Sequence, residues 1–260
     1  MENSELFYIN QYLLSIEDQS QQFSCTQKVS CQQVSCEMRA TTVERMSSLC
    51  SHLNLDNAIF HLAVNIYDKY LCFCNFTSNH LQLLATASIF ISCKYESVFT
   101  PKITWLLNSM EDSSTKKDFL EMELNILRAL NFNLGFPTVN VFLSNFAEVL
   151  SLEKKNYYLA SYYCELSLLT TSSYQFSASC LAAASIVLAN VVLKCGNPWP
   201  QCIILFCNLE IVDLEECIGF IDTLARAAPD FSPAEGARNK FGDWQFDSVS
   251  KLDQPENFER

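Results

Sequence analysis

Glycine and proline are scarce in this chain, at 5 and 7 residues of 260, and histidine is scarcer still at 3. Sandwiches and barrels need frequent Gly and Pro at their turns, so an all-β architecture is excluded. The glycines stand at 135, 196, 219, 236 and 242, too dispersed to build a P-loop or a dinucleotide-binding fingerprint. No G-x-S-x-G is present for a nucleophile elbow. His52, His61 and His80 form no i, i+4 pair and have no plausible Cys ligand set beside them, which argues against zinc. Nothing places a base beside a thiol for Cys/His catalysis. The expectation is a binding protein with no catalytic residue, no metal and no cofactor.

Positive charge is also in deficit. Lys and Arg number 17 against 29 Asp and Glu, a formal net charge of −12, and no Lys/Arg-rich run appears. Such a surface repels a phosphate backbone, so no nucleic-acid partner is expected. The longest nearly apolar run, Cys180 to Leu193, includes Ser185 and Asn190 and falls short of the about 18 residues a membrane span needs. It reads as a buried core helix, with no membrane partner. Cysteine is plentiful at 13, yet no pair makes C-x-x-C, and Cys93, Cys164 and Cys180 lie inside apolar helical stretches, where free cysteine acts as a small hydrophobe. The odd count and a start carrying Glu2 and Glu5, unlike a secretory leader, point to a reducing compartment, nucleus or cytoplasm.

What is abundant is apolar material: 49% of residues are hydrophobic. A chain of this length typically buries roughly 75% of the surface it exposes when unfolded. Helical periodicity predicts an amphipathic N-terminal helix over 3–19, with Leu6, Ile9, Leu13 and Ile16 on one face. A polar, extended connection follows, from Gln19 to Ser35. Five helices then fit at 37–53, 57–73, 78–94, 101–110 and 115–131, with Thr77 or Ser78 capping the third and Pro101 in the first turn of the fourth. The third is apolar nearly all round, as the centre of a bundle must be. After the Asn131 to Pro137 connection the pattern restarts at 138–150, 153–170, 177–194, 199–207 and 211–227, and Ala184-Ser185-Ile186 echoes Ala87-Ser88-Ile89. The fold class expected is all-α, a tandem pair of five-helix bundles with an N-terminal helix. Its parts are 1–36, the helix and extended connection; 37–134, the first bundle; 135–227, the second; and 228–260, an irregular and loosely packed tail.

An ordered series of segments resembles the cyclin family, closest to A- and B-type cyclins. It comprises Met38-Arg39-Ala40, His61-Leu62-Ala63-Val64-Asn65 with Asp68-Lys69-Tyr70-Leu71, Leu81-Gln82-Leu83, and Ser92-Cys93-Lys94-Tyr95-Glu96. Glu121-Met122-Glu123 and Leu130-Asn131-Phe132 with Pro137-Thr138-Val139-Asn140 continue it. Glu165-Leu166-Ser167-Leu168-Leu169 and Leu181-Ala182-Ala183-Ala184 complete it in the second half. The resemblance spans about residues 5–225 and would suit a divergent member, cellular or virus-encoded.

That resemblance implies a regulatory subunit that binds and activates a cyclin-dependent Ser/Thr protein kinase, with the substrates or inhibitors of that kinase as further partners. The family's central contact pair matches Lys94 and Glu123, which would grip the backbone at the kinase's regulatory helix. The local reading leaves another role open: a lysine closing a helix complements its dipole, and Glu123 would be one charge on a solvated face. Around the pair, kinase contacts match Ile91, Tyr95, Leu127, Phe132 and Leu134. Ile9 and Tyr12 match contacts of the N-terminal helix, with packing against the second bundle as their alternative. Arg39 and Asp68 match an internal salt bridge that is structural in the family.

The family's apolar substrate-docking patch matches Met38, Thr41, Arg45, Ser48, Leu81 and Gln82. The patch is degenerate here, because Thr41 replaces an aliphatic residue and Arg45 a tryptophan. No R-x-x-L or Lys-Glu-Asn destruction signal occurs in the sequence, so turnover by that route is not expected. Two other readings stay open: a cyclin-like scaffold that activates no kinase, and a cyclin fold of the transcription-initiation-factor type, which the acidic balance opposes.

Overall fold

Helices account for all regular structure among the described residues of the computed structural model, which are 2–21, 34–73, 80–110 and 113–254. In chain order they are α1 (Glu2–Gln21), α2 (Cys36–His52), α3 (Asn57–Phe73), α4 (Leu81–Glu96), α5 (Ile103–Asn108) and α6 (Lys116–Ala129). After the connection come α7 (Val139–Leu150), α8 (Lys154–Leu168), α9 (Ala178–Val192), α10 (Gln201–Cys207), α11 (Ile211–Ala227) and α12 (Glu235–Phe241). The chain divides into two compact units, Phe23–Thr138 and the combination of Met1–Gln22 with Val139–Arg260.

In the first unit α4 is the core helix, in contact with α2, α3 and α6. It is buried from Leu83 through Cys93. Its hydroxyls do not need partners outside the helix: Ser88 Oγ donates to the Leu84 carbonyl at 2.8 Å and Ser92 Oγ to the Ser88 carbonyl at 2.9 Å. That back-bonding lets small polar residues sit in a dry core without an orphaned donor. Phe90 of α4 meets Phe119 of α6 edge to face, ring centroids 5.4 Å apart. Short polar residues start the helices. Ser35 caps α2 by accepting from the Met38 N–H, and Thr115 and Asp118 form a reciprocal capping box at the start of α6. The Thr115 hydrogen bonds hold the exposed Asp118 carboxyl below its usual range. Pro101 does not enter the first turn of α5 as expected; Lys102 is the N-cap and the helix begins at Ile103. The predicted caps Thr77 and Ser78 and most of the Gln19–Ser35 connection lie outside the described residues.

The second unit repeats the plan around α9, which contacts α7, α8 and α11 and is buried from Leu181 through Asn190. Ser185 Oγ donates to the Leu181 carbonyl at 2.7 Å, the same device as Ser88 in α4. The echo read in the sequence is therefore an echo of core chemistry.

Two expectations need correction here. The segment after 227 is not an irregular, loosely packed tail. Helix α12 packs on α8, with Ala237 and Phe241 buried. Lys240 pairs with the buried Glu165, and the Tyr163 hydroxyl shares a hydrogen bond with the Gln254 side chain. Its elements are too short for a 3.6-residue period to register. The second correction concerns α1, which belongs to the second unit and is anchored by polar groups more than by its apolar stripe. Asn10 is fully buried and donates to the Phe206 carbonyl at 3.1 Å, near the C-terminal end of α10. Glu17 is buried against Ser179 in the first turn of α9, where burial raises its carboxyl above the ordinary value against the opposing effect of the Ser179 hydrogen bonds. Of the predicted stripe, Leu6, Leu13 and Ile16 are only half-buried and Ile9 is exposed.

Candidate functional site

Helix α4 runs apolar and buried up to Cys93, then turns outward at Lys94. The ammonium of Lys94 forms an ion pair with the carboxylate of Glu123 on α6 and lies 4.4 Å from the Phe90 ring centroid. The pair is unequally exposed: the Lys94 side chain keeps 45% of its accessible surface and that of Glu123 keeps 11%. The lysine stem thus covers apolar surface while its head reaches the water boundary. Together the two residues form a preassembled donor and acceptor at the surface, and Glu123 is held in position by its partner.

Apolar side chains surround this pair in the sequence and on the surface of the same unit. Tyr95 is 53% exposed and Phe132 64%. Leu127 and Leu134 are half-buried. Ile91 differs from the expectation. At 2% exposure it belongs to the core, since the inward face of α4 wraps all the way round at that turn. It presents no contact surface.

Phe132 is held in an uncommon conformation. Asn131 and Phe132 both adopt left-handed backbone, at φ 50° and 57°. The turn satisfies the end of α6, with Phe132 N–H bonded to the Leu127 carbonyl at 2.8 Å and Asn133 N–H to that of Leu130 at 2.9 Å. A glycine would fill such a position without strain; a phenylalanine costs about 1–3 kcal/mol there. Next to it, a side chain at Gly135 would have its Cβ 3.3 Å from the Tyr95 hydroxyl, so the glycine lets the connection pass close to the tyrosine. An exposed aromatic ring on strained backbone has no account in the stability of the unit itself.

Several exposed apolar residues of this unit were not singled out in the sequence. Leu120 and Leu124 stand outward on α6, and Val98 and Phe99 project from the loop after α4. The signal was available: α6 carries one apolar row at Phe119, Met122, Ile126 and a second at Leu120, Leu124, Leu127, more than a single buried face requires.

On α1, Ile9 and Tyr12 are both exposed, so they do not serve to pack the helix on its own unit, while Asn10 and Glu17 on the opposite side do. Arg39 donates through Nε and Nη2 to both Asp68 oxygens at 2.7 Å, a buried two-point bridge from α2 to α3. The residues matched to the docking patch divide. Met38, Thr41, Arg45 and Ser48 share the exposed face of α2, Gln82 is half-buried, and Leu81 is buried. Arg45, Ser48 and Gln82 line a cavity of about 320 Å³ between α2 and α4. Among the described residues no group of His, Cys, Asp and Glu could hold a metal ion, and no helix is long and apolar enough to cross a membrane.

Residues 8–135 match the family model for the cyclin N-terminal domain, and residues 137–255 match that for the cyclin C-terminal domain. The G2/mitotic-specific cyclin-A of Patella vulgata is 30% identical over 219 residues, covering 84% of this chain and 51% of that protein. Cyclin-A2 of Homo sapiens is 30% identical over 221 residues, again covering 84% of this chain and 51% of its own length. The chain spans about half the length of the curated relatives it matches. Among solved structures, a viral cyclin from herpesvirus saimiri superposes with a TM-score of 0.63 at 21% identity, over 87% of this chain and 91% of that one. A chain of the yeast RNA polymerase II CTD kinase CTDK-1 complex gives 0.59 at 18% identity, over 79% and 72%. These two likenesses concern the fold.

Proposed function

The chain belongs to the cyclin family, and from that premise we propose that it is the regulatory subunit of a cyclin-dependent Ser/Thr protein kinase. The kinase carries out phosphoryl transfer, and this chain supplies binding energy alone. The observation that carries the reading is the surface around Lys94 and Glu123: a preformed charge pair accompanied by Tyr95 and Phe132, with Phe132 exposed on strained backbone. Aromatic anchors beside a few well-placed charges are the anatomy of an interface hot spot. Leu127 and Leu134 flank it. Ile9 and Tyr12 of α1 offer a second exposed apolar contact, and Met38, Thr41, Arg45, Ser48, Leu81 and Gln82 form a weakened docking patch for substrates and inhibitors.

The mechanism is a population shift. A kinase whose regulatory helix moves between outward and inward positions is biased toward whichever one the partner binds more tightly. Lys94 and Glu123 would meet backbone groups of that helix in its inward position. That position completes the Lys–Glu pair that holds ATP and favours an open activation loop. The chain would act in the nucleus or cytoplasm, where reducing conditions keep cysteines as thiols.

The test is recovery of the chain from its native cell with identification of bound kinases, followed by an activity assay with and without the chain. A co-purifying kinase whose activity depends on the chain supports the reading. A bound kinase left inactive identifies a scaffold, and no bound kinase refutes both.

A further inference from the structure

The sequence contains two Ser/Thr-Pro dipeptides, Thr100-Pro101 and Ser232-Pro233, and the structure gives them different backbone settings. Ser232 opens a short 3-10 helix, its carbonyl accepting from the Glu235 N–H, while the Ala234 N–H is bonded to the Phe231 carbonyl at 2.9 Å. Thr100 lies exposed in the loop between α4 and α5. The loop is bounded by extended backbone, Ser97 at φ −124°, ψ 147° and Lys102 at φ −66°, ψ 135°. Among the described residues no backbone–backbone hydrogen bond involves residues 98–101; the Phe99 N–H is bonded locally to the Ser97 hydroxyl at 3.2 Å, and no hydrogen bond is made by the main chain of Thr100 or Pro101. Phe99 before Thr100 and Lys102 after Pro101 are exposed as well.

This is the setting a kinase cleft requires of a substrate. A peptide recognised as an extended strand must have main-chain groups free to pair with the cleft. A proline after the acceptor removes a donor that would otherwise need a partner, and it biases the preceding residue toward extended conformations. Thr100-Pro101 meets these conditions, whereas Ser232-Pro233 is already committed to a turn.

We propose that Thr100 is the acceptor site of a proline-directed Ser/Thr kinase that acts on the chain while this loop is uncovered. Thr100 Oγ attacks the γ-phosphorus of ATP, the bond to the β,γ-bridging oxygen breaks, ADP departs, and the hydroxyl proton passes to a base of the kinase. The product adds a charge of about −1.5 to −2 directly after the exposed Val98 and Phe99, four residues beyond Glu96, the acidic last residue of α4. A phosphate set in an apolar contact surface and beside like charge opposes docking. Modification of Thr100 therefore blocks assembly with the regulated kinase. This consequence rests on the proposed function, whereas the site itself does not.

The experiment incubates the whole chain with ATP and a proline-directed kinase of the mitogen-activated class, which needs no cyclin, and follows both sites by mass spectrometry. Thr100 is expected to gain phosphate at least tenfold faster than Ser232, and Pro101→Ala, with unchanged melting, to slow it at least tenfold. Absence of label at Thr100, faster label at Ser232, or indifference to Pro101→Ala overturns the site. Phosphorylated chain and Thr100→Ala chain treated in parallel are then titrated against the kinase recovered with the native protein. At least tenfold weaker binding of the phosphorylated chain supports the consequence, and equal binding overturns it. If the unmodified chain binds no kinase, the proposed function fails and the consequence with it, while the labelling result at Thr100 stands.

Discussion

Glu17 of α1 accepts two hydrogen bonds from Ser179 in the first turn of α9, from the backbone N–H at 2.9 Å and from the hydroxyl at 2.5 Å. A carboxylate there complements the positive end of the core helix of its unit. Burial nevertheless dominates its protonation and raises its pKa from 4.5, with the nearby Asp18 adding to the rise. A carboxyl whose folded pKa lies above its unfolded value carries a penalty that is fully present above the folded value. The penalty is relieved as pH falls through that value toward 4.5. The stability of the wild type relative to Glu17→Gln should therefore improve as the buffer is taken from pH 7 toward 4.5. Melting curves of both proteins across that window decide it. A difference that stays flat or moves the other way shows that Glu17 is not the titrating group.

The Arg39–Asp68 bridge leads to a stability prediction. Arg39 is 1% exposed and both Asp68 oxygens accept from it. Removing one partner of a buried pair strands the other, at a cost of roughly 3–5 kcal/mol. Arg39→Ala should lower the midpoint of chemical denaturation accordingly, while the fraction that remains folded binds kinase normally. Unchanged stability with lost binding would move the pair from the interior to the interface.

For the charge pair at the surface the expected pattern is the reverse. Glu123→Ala should leave melting close to wild type, whereas Lys94→Ala should lower it modestly because the Glu123 carboxylate is buried. Both should weaken kinase binding by about 2–5 kcal/mol, because each leaves a desolvated group unpaired at the centre of the contact. Calorimetric titration of the folded variants against the purified kinase measures this. Wild-type affinity in both would remove the pair from the interface.

Phe132 offers a sharper separation of function from stability. Phe132→Gly relieves left-handed strain, so the isolated chain should become more stable by about 1 kcal/mol. The same change removes an aromatic anchor, and kinase binding should fall by at least about 2 kcal/mol. Opposite signs in the two measurements are the signature of a residue kept for a partner. A loss of stability would show that the ring packs within its own unit.

The order and rough extent of the helices were legible in the sequence because each bundle is built from long amphipathic segments around one helix that is apolar all round. The seam at Lys94 was visible for the same reason, as a charge ending a dozen mostly apolar residues. What escaped depends on relations between distant parts of the chain. Asn10 and Glu17 read as polar interruptions of an apolar stripe, yet they are the anchors of α1, because the groups they meet, the Phe206 carbonyl and Ser179, sit on helices far along the chain. Ile91 could be matched by position to a contact surface, but its burial follows from how completely α4 is enclosed. The last helix, α12, is shorter than the window in which periodicity can be recognised, and Lys240 finds Glu165 only in three dimensions.

Substrate docking gives the last prediction. Met38, Thr41, Arg45 and Ser48 line up along one exposed face of α2, and Leu81 is buried. Many A-, E- and D-type cyclins carry a tryptophan where this chain has Arg45, and an aliphatic side chain where it has Thr41. A tryptophan can bury much of its 150–250 Å² against a docked leucine, while an arginine offers its stem and adds positive charge. Docking peptides of the Arg-x-Leu type are basic, so the substitution replaces attraction with repulsion. Such peptides should bind this chain at least tenfold more weakly than they bind an A-type cyclin, a change that takes about 1.4 kcal/mol. The cavity of about 320 Å³ bordered by Arg45, Ser48 and Gln82 gives room for an indole, so Arg45→Trp should restore a large part of the lost affinity without overpacking the α2–α4 seam. Fluorescence titration of a labelled peptide against both proteins measures the difference. Micromolar binding to the wild type, unimproved by tryptophan, would mean that the groove never depended on this position and that substrates are still recruited through it.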